Sequence, residues 1–281
     1  MTPDPAVTRR CAVLGSPIAH SLSPVLHRAA YAELGLDWRY DAFEVDEAGL
    51  ADFVDGLGPE WRGLSLTMPL KRVVLPLCDE VSEQAALVGA VNTLLLEEGR
   101  RTGTNTDVPG IVAALRARGV TSVRSPLLVG VGATAGSALA ALAEFGTGGV
   151  RAIARDPSRA GDLRTLAGKL GVDLDVLPWD AAATLSDLDL VVSTVPEDAV
   201  APLAGPLVDR AEVVFDVLYH PWPTRLAAAA EHAGRLVIGG LDLLVHQAAL
   251  QVEQMTRRPL APVAAMRAAG EKALRARGAV P

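Results

Sequence analysis

The chain is poor in the residues from which several kinds of protein are built. Only two of its 281 residues are cysteine, Cys11 and Cys78, far apart and without Cys-x-x-Cys spacing. That gives neither a disulfide framework nor a zinc site. The five histidines are scattered, and Pro24 keeps His20 and His27 off one continuous helix, so no metal site is expected. Aromatic residues make up 4% of the chain, and the 26 Lys and Arg face 33 Asp and Glu for a net charge of −7. A nucleic-acid surface is therefore not expected. No run of eighteen apolar residues occurs, so no membrane span is expected. The apolar stretch Cys11–Leu14, after the polar Met1–Arg10, is too short for a signal peptide, and the expectation is a cytoplasmic protein. Gly63-Leu64-Ser65-Leu66-Thr67 lacks the second glycine of a hydrolase elbow, and no P-loop motif occurs.

What is present is a large apolar fraction, half of all residues, on a chain long enough for two cores. The most informative stretch is Gly130-Val131-Gly132-Ala133-Thr134-Ala135. It follows an apolar run, Leu127-Leu128-Val129, that reads as a buried strand, and precedes an Ala/Leu-rich run, Ser137–Phe145, that reads as a helix. Glycine at such a turn lets backbone N–H groups approach a pyrophosphate, and the helix N-terminus favours its charge. The turn places a dinucleotide module from residue 108 onward. Strands are expected over Pro126–Val129, Gly149–Ala154, Leu188–Ser193, Val213–Val217 and Leu236–Ile238, with helices between them, which implies a parallel sheet covered on both faces. After the second of these strands come Arg155, Asp156 and Arg159. An acidic residue there suits the ribose diol of NAD, an arginine the 2′-phosphate of NADP. Arg155 stands first, and Asp156 before Pro157 reads as a helix cap, so NADP is favoured.

The first hundred residues also alternate strand and helix patterns. Strands are expected over Arg10–Leu14, Trp38–Val45, Gly63–Thr67 and Ala90–Leu96, and helices over Pro24–Leu34 with Ser23 as N-cap, Glu47–Val54 and Pro69–Leu77. Four polar clusters sit at the ends of these elements. Ser21 and Ser23 precede a helix start, where two hydroxyls can hold a carboxylate, or one can simply cap the helix. Lys71 follows Thr67 in the first turn of a helix, where a cation opposes the dipole; it is either functional or part of a solvated basic face with Arg72. Asn92 falls inside an expected strand, where asparagine is depleted. Asp107 is either a cap for a helix over Val108–Arg118 or a carboxylate that orients an amine for proton transfer. The helices Leu241–Met255 and Pro262–Arg277 close the chain and are expected to pack back onto the first domain.

Taken in order, Gly15-Ser16-Pro17-Ile18-Ala19-His20-Ser21-Leu22-Ser23-Pro24, Leu66-Thr67-Met68-Pro69-Leu70-Lys71, Gly89-Ala90-Val91-Asn92-Thr93 and Asn105-Thr106-Asp107 resemble the shikimate dehydrogenases. Asp216-Val217-Leu218-Tyr219 and the stretch from Gly240 to Ala249 fit the same family, so the resemblance runs from about residue 11 to 255. It implies an α/β protein of two domains: an N-terminal α/β substrate domain (1–107 plus 241–281) and a Rossmann-like doubly wound NADP-binding domain (108–240). It also implies reversible reduction of 3-dehydroshikimate to shikimate by NADPH in the cleft between domains, on the route to aromatic amino acids, by a monomer or homodimer. By resemblance Lys71 and Asp107 are the catalytic pair, and Ser21 and Ser23 hold the substrate carboxylate. Thr67, Asn92, Tyr219 and Gln247 meet the ring hydroxyls or support them, and Gly130, Gly132, Thr134, Arg155 and Arg159 face the cofactor. The chain departs from the family pattern at Val131, Ala133, Ala154, Leu243 and Ser193-Thr194-Val195-Pro196, positions that bear mainly on the cofactor side. An NAD-preferring quinate/shikimate dehydrogenase is the nearest alternative, and a catalytically silent ligand-sensing relative is another. The paired serines and Arg155 favour the first reading, and retention of both Lys71 and Asp107 weighs against a silent relative.

Overall fold

The computed structural model describes residues 9–278, which form two compact units: residues 9–106 with 247–273, and residues 107–246 with 274–278. The division falls inside the helix Gly240–Thr256.

The first unit contains β1 (Arg10–Gly15), α1 (Ser23–Glu33), β2 (Arg39–Glu44), α2 (Leu50–Asp55), β3 (Trp61–Leu66), α3 (Leu70–Val73), β4 (Glu80–Val81), α4 (Glu83–Val88), β5 (Thr93–Glu97) and β6 (Arg100–Thr104). Its sheet has the order β2-β1-β3-β5-β6-β4. The first three strands and the β4–β6 pair run parallel, whereas β3–β5 and β5–β6 run antiparallel. One face buries Leu14, Leu64, Leu66, Leu70, Val74 and Leu94 in a continuous apolar cluster.

The second unit contains α5 (Asp107–Ala117), β7 (Pro126–Val129), α6 (Ala133–Ala143), β8 (Gly149–Ala154), α7 (Gly161–Leu170), β9 (Asp173–Pro178), β10 (Leu188–Ser193), α8 (Glu197–Val200), α9 (Ala204–Val208), β11 (Ala211–Asp216), α10 (Arg225–His232) and β12 (Leu236–Ile238). The chain continues through α11 (Gly240–Thr256) and α12 (Val263–Ala276). The sheet order is β12-β11-β10-β7-β8-β9 and every pairing is parallel. Strand order therefore reverses between β7 and β10, the arrangement of a doubly wound dinucleotide-binding sheet. Near-continuous apolar runs such as Leu127-Leu128-Val129 and Leu190-Val191-Val192 suit strands buried on both faces.

Several expectations need correction. Asn92 lies in a bend ahead of β5, not within a strand. Ser23 is the first residue of α1, with Leu22 at the N-cap and no side-chain cap there. The expected helix Pro69–Leu77 is a four-residue helix followed by a 3₁₀ turn over Leu75–Leu77, because Pro76 has no N–H to continue the ladder. Lys71 is thus not opposed by a long helix dipole. The helix after the glycine turn starts at Ala133, which puts Thr134 in its first turn. Asp107 likewise opens α5. Strands β4, β6 and β9 and helix α4 carry no expectation from the sequence; β6 reads Arg-Arg-Thr-Gly-Thr, with no apolar alternation to mark it.

Candidate active site

Register brings the polar clusters of the first unit to one end of its sheet. Leu14 pairs with Leu66, Ser65 with Thr93, and Thr93 with Thr104. The chain leaving β1, the chain leaving β3, the bend entering β5 and the chain leaving β6 therefore lie side by side. Backbone bonds stitch them: Ser16 N donates to Met68 O (3.0 Å), Thr67 N to Leu14 O (3.0 Å), Leu66 N to Asn92 O (2.8 Å), Asn92 N to Thr104 O (3.1 Å) and Val91 N to Lys71 O (2.8 Å). Gly15 is what permits the first of these crossings, since a Cβ there would stand 2.9 Å from Met68 O and overlap the Thr67 side chain.

Ser21 and Ser23 occupy the loop from β1 and the first position of α1. Ser23 N donates to Ser21 Oγ at 3.3 Å, which leaves the Ser21 hydroxyl hydrogen for another acceptor. The start of an eleven-residue helix adds orphan N–H groups and a favourable dipole for an anion.

Asn92 is buried and tightly held. Its Oδ1 accepts from Thr106 N (2.8 Å) and Thr93 Oγ1 (2.9 Å), and its Nδ2 donates to Thr106 Oγ1 (2.9 Å) and, more loosely, to Gln247 Oε1 (3.4 Å). Asn105 Nδ2 closes the same loop on Ala90 O at 2.8 Å. Thr67 and Lys71 are half-buried at this edge, and Gln247 is buried on α11. The first unit thus assembles Ser21, Ser23, Thr67, Lys71, Asn92 and Gln247. Asp107 and Tyr219 belong to the second unit, Asp107 buried at the start of α5 and Tyr219 half-buried after β11. Thr106 carries no role of its own in the sequence, although it sits within the Asn105-Thr106-Asp107 motif. Gln251 and Tyr40 carry no expectation, and Ser65 and His27 enter only where a hydrolase elbow and a metal site are excluded; the one available signal is the four-residue spacing of Gln247 and Gln251 on a helix.

In the second unit, Val129 pairs with Ile153 and with Ser193, and Ser193 with Asp216, so Gly130, Arg155, Thr194 and Tyr219 all lie at the carboxyl edge of the parallel strands. Gly130 has φ +110°, and a Cβ on it would come within 2.7 Å of both Thr194 Oγ1 and Val195 Cγ1. Only glycine meets both demands. Gly132 is the N-cap of α6, with nothing within 4 Å of the place a Cβ would take. That open backbone at a helix start suits a pyrophosphate. Arg155 and Arg159 are exposed beyond β8, whereas Asp156 turns its carboxylate to Ser158, accepting from its N (3.0 Å) and Oγ (2.6 Å). These bonds hold the Asp156 carboxyl below its ordinary value. The acidic residue at the strand end is thereby committed to a local cap, and the two guanidinium groups remain for a phosphate. The residues present fit NADP rather than NAD.

Behind this edge, Asp216 is fully buried, accepting from Thr224 Oγ1 (2.7 Å) and Leu218 N (3.2 Å). Burial pushes its carboxyl up to about 6 against these two bonds, and the Glu197 charge adds to the rise. Among the described residues no group of three or more His, Cys, Asp or Glu could hold a metal ion, and no helix is long and apolar enough to cross a membrane.

A doubly wound sheet with its glycine turn at the switch point, and arginines beyond the adjoining strand, defines a dinucleotide-dependent oxidoreductase. The comparisons narrow the class. Residues 13–94 match the model of the shikimate dehydrogenase substrate binding domain. The NADP(+) shikimate dehydrogenase of Synechococcus sp. strain JA-3-3Ab is 36% identical, over 95% of this chain and 94% of the relative. The Mycobacterium tuberculosis shikimate dehydrogenase crystal structure is 43% identical with a TM-score of 0.86, covering 94% of this chain and 99% of that one. The Thermus thermophilus shikimate 5-dehydrogenase, crystallised in complex with NADP(H) and shikimate, is 34% identical with a TM-score of 0.82, over 95% of this chain and 100% of that one. The chain belongs to the shikimate dehydrogenase family.

Proposed function

We propose that this protein is the NADP-dependent shikimate dehydrogenase that reversibly reduces 3-dehydroshikimate to shikimate, a small-molecule step toward the aromatic amino acids, in the cytoplasm. The observation that carries the reading is the gathering of Ser21, Ser23, Thr67, Lys71 and Asn92 at one end of the first sheet, in a chain whose relatives carry that name over nearly their whole length. A small anion with several hydroxyls matches that set: hydroxyl donors at a helix start for a carboxylate, and amides and a threonine for ring oxygens. When bound, NADPH supplies the hydride for the ring carbonyl.

Ser21 and Ser23 take the carboxylate, and the N-terminus of α1 adds its dipole. Asn92 and Gln247, with Thr67 and Tyr219, fix the ring hydroxyls. Lys71 delivers a proton to the oxygen that becomes a hydroxyl on reduction and takes it back in the reverse direction. Asp107 accepts a hydrogen bond from the same hydroxyl and keeps the ammonium in place. The backbone of Gly130–Thr134 would hold the pyrophosphate of the cofactor, and Arg155 and Arg159 would pair with its 2′-phosphate.

Initial rates with shikimate and with quinate, each against NADP⁺ and NAD⁺, test this reading. Shikimate with NADP⁺ should give the largest kcat/KM of the four pairs. A larger value for quinate with NAD⁺ identifies the catabolic alternative, and no turnover with any pair identifies a ligand-sensing relative.

A further inference from the structure

The hydrogen-bonded core that holds Asn92 continues away from the strand ends to a residue outside the proposed chemistry. Gln251 lies one turn beyond Gln247 on α11 and is 1% exposed. Its Oε1 accepts from Ser65 Oγ at 2.7 Å and faces His27 Nε2 at 3.3 Å. Its Nε2 donates to Asn92 O at 3.1 Å and to Thr93 Oγ1 at 2.9 Å.

The direction of these bonds is determined. An amide nitrogen only donates and an amide oxygen only accepts. Tyr40 gives its hydroxyl hydrogen to Ser65 at 2.5 Å, so Ser65 gives its own to Gln251. Gln251 then presents Nε2 to Thr93, and Thr93 turns its hydrogen to Asn92 Oδ1 (2.9 Å). With that oxygen occupied, Asn92 points Nδ2 toward Thr106 Oγ1 and Gln247 Oε1, and Gln247 must aim its own nitrogen elsewhere. His27 stacks on Tyr40 with centroids 3.8 Å apart, and burial holds its imidazole neutral, pushed down to about 3. A neutral ring can donate one hydrogen to Gln251 without placing a charge in the chain.

We propose that Gln251 is a positioning residue for the reduction: it orients Asn92, and through Asn92 the amide of Gln247, toward the ring hydroxyls of the substrate. The inference rests on the binding roles proposed above for Asn92 and Gln247. A residue that only filled space would be replaceable by methionine, which is unbranched and of similar size.

The test compares steady-state constants of wild type, Gln251→Met, Thr93→Val, the double variant and Asn92→Ala, with thermal melts alongside. Gln251→Met should raise the shikimate KM at least tenfold and leave the NADP⁺ KM within twofold, a split that general loss of stability does not produce. Because Thr93 is the next link, the double variant should be no worse than the worse single one. An unchanged shikimate KM in Gln251→Met, or fully additive losses, overturns the proposal. If Gln251→Met does not fold, Thr93→Val decides alone, with a tenfold rise in shikimate KM expected and an unchanged value contradicting it. If Asn92→Ala leaves the shikimate KM unchanged, the reading of the site itself fails. If Asn92→Ala raises it and Gln251→Met does not, only the positioning role fails.

Discussion

Asn92 shows what one residue can and cannot disclose. Its presence amid apolar neighbours was visible as an anomaly, because asparagine fits poorly in a strand. The structure resolves the anomaly by placing it in a bend, with its amide held by Thr93 and Thr106. The Thr106 contact was not legible, since it comes from a chain segment fourteen residues away. Gln251 was hidden for the same reason: its partners Ser65, Asn92 and Thr93 meet it only after the sheet and α11 pack. Lys71 is the opposite case. Its place in the first turn of an expected helix singled it out, although that helix is only four residues long, and its main-chain bond to Val91 N at 2.8 Å ties it to the Asn92 bend. If Lys71 handles the proton, Lys71→Ala should lower kcat by about 10²–10⁴-fold while the shikimate KM stays within a small factor. Steady-state kinetics at saturating NADP⁺ measure both, and a normal kcat with a raised KM would make Lys71 a binding residue instead.

At the level of elements, the parallel strands of the second unit were the most legible feature. Pro126–Val129, Gly149–Ala154, Leu188–Ser193 and Leu236–Ile238 occur where the apolar runs placed them, because strands buried on both faces must be apolar throughout. Strand β9 has only partial burial at a sheet edge, and β6 is polar, so neither carries that signature. The turn after β8 is where element geometry decides chemistry. Asp156 caps a 3₁₀ turn, and this leaves Arg155 and Arg159 as the charged groups available at the strand end. Replacing both arginines with alanine should raise the NADP⁺ KM by roughly a hundredfold or more, since each bond to a charged group contributes about 1.5–3 kcal/mol. The NAD⁺ KM should not rise. Equal effects on the two cofactors would mean that the arginines do not meet the 2′-phosphate.

Across the whole molecule, the two units carry opposite responses to pH. In the first, His27 is held near 3 by burial against an ordinary 6.5. The unfolded chain therefore binds the proton more readily, and stability present above pH 6.5 is lost as pH falls toward 3. In the second, Asp216 is raised from 3.8 to about 6. Here the folded state holds the proton more tightly, so stability present below about pH 4 is lost as pH rises through 6, by up to about 3 kcal/mol. Urea unfolding of wild type and Asp216→Asn at about pH 4 and about pH 7.5 checks the second half. The variant should gain on wild type as pH rises, since an amide keeps the Leu218 N bond without ionising. A constant difference at the two pH values would contradict the assignment.

The expectation of a second unit came from a single glycine turn, whereas amphipathic periodicity in α11, which contributes residues to both units, says which face is buried and not what covers it. The function proposed for this chain depends most on where one small substrate sits. A crystal structure with shikimate and NADP⁺ bound measures that directly. The carboxylate is expected on the hydroxyls of Ser21 and Ser23, with Lys71 and Asp107 on the same ring hydroxyl. Shikimate bound with its carboxylate elsewhere, or with Lys71 and Asp107 turned to solvent, would contradict the account.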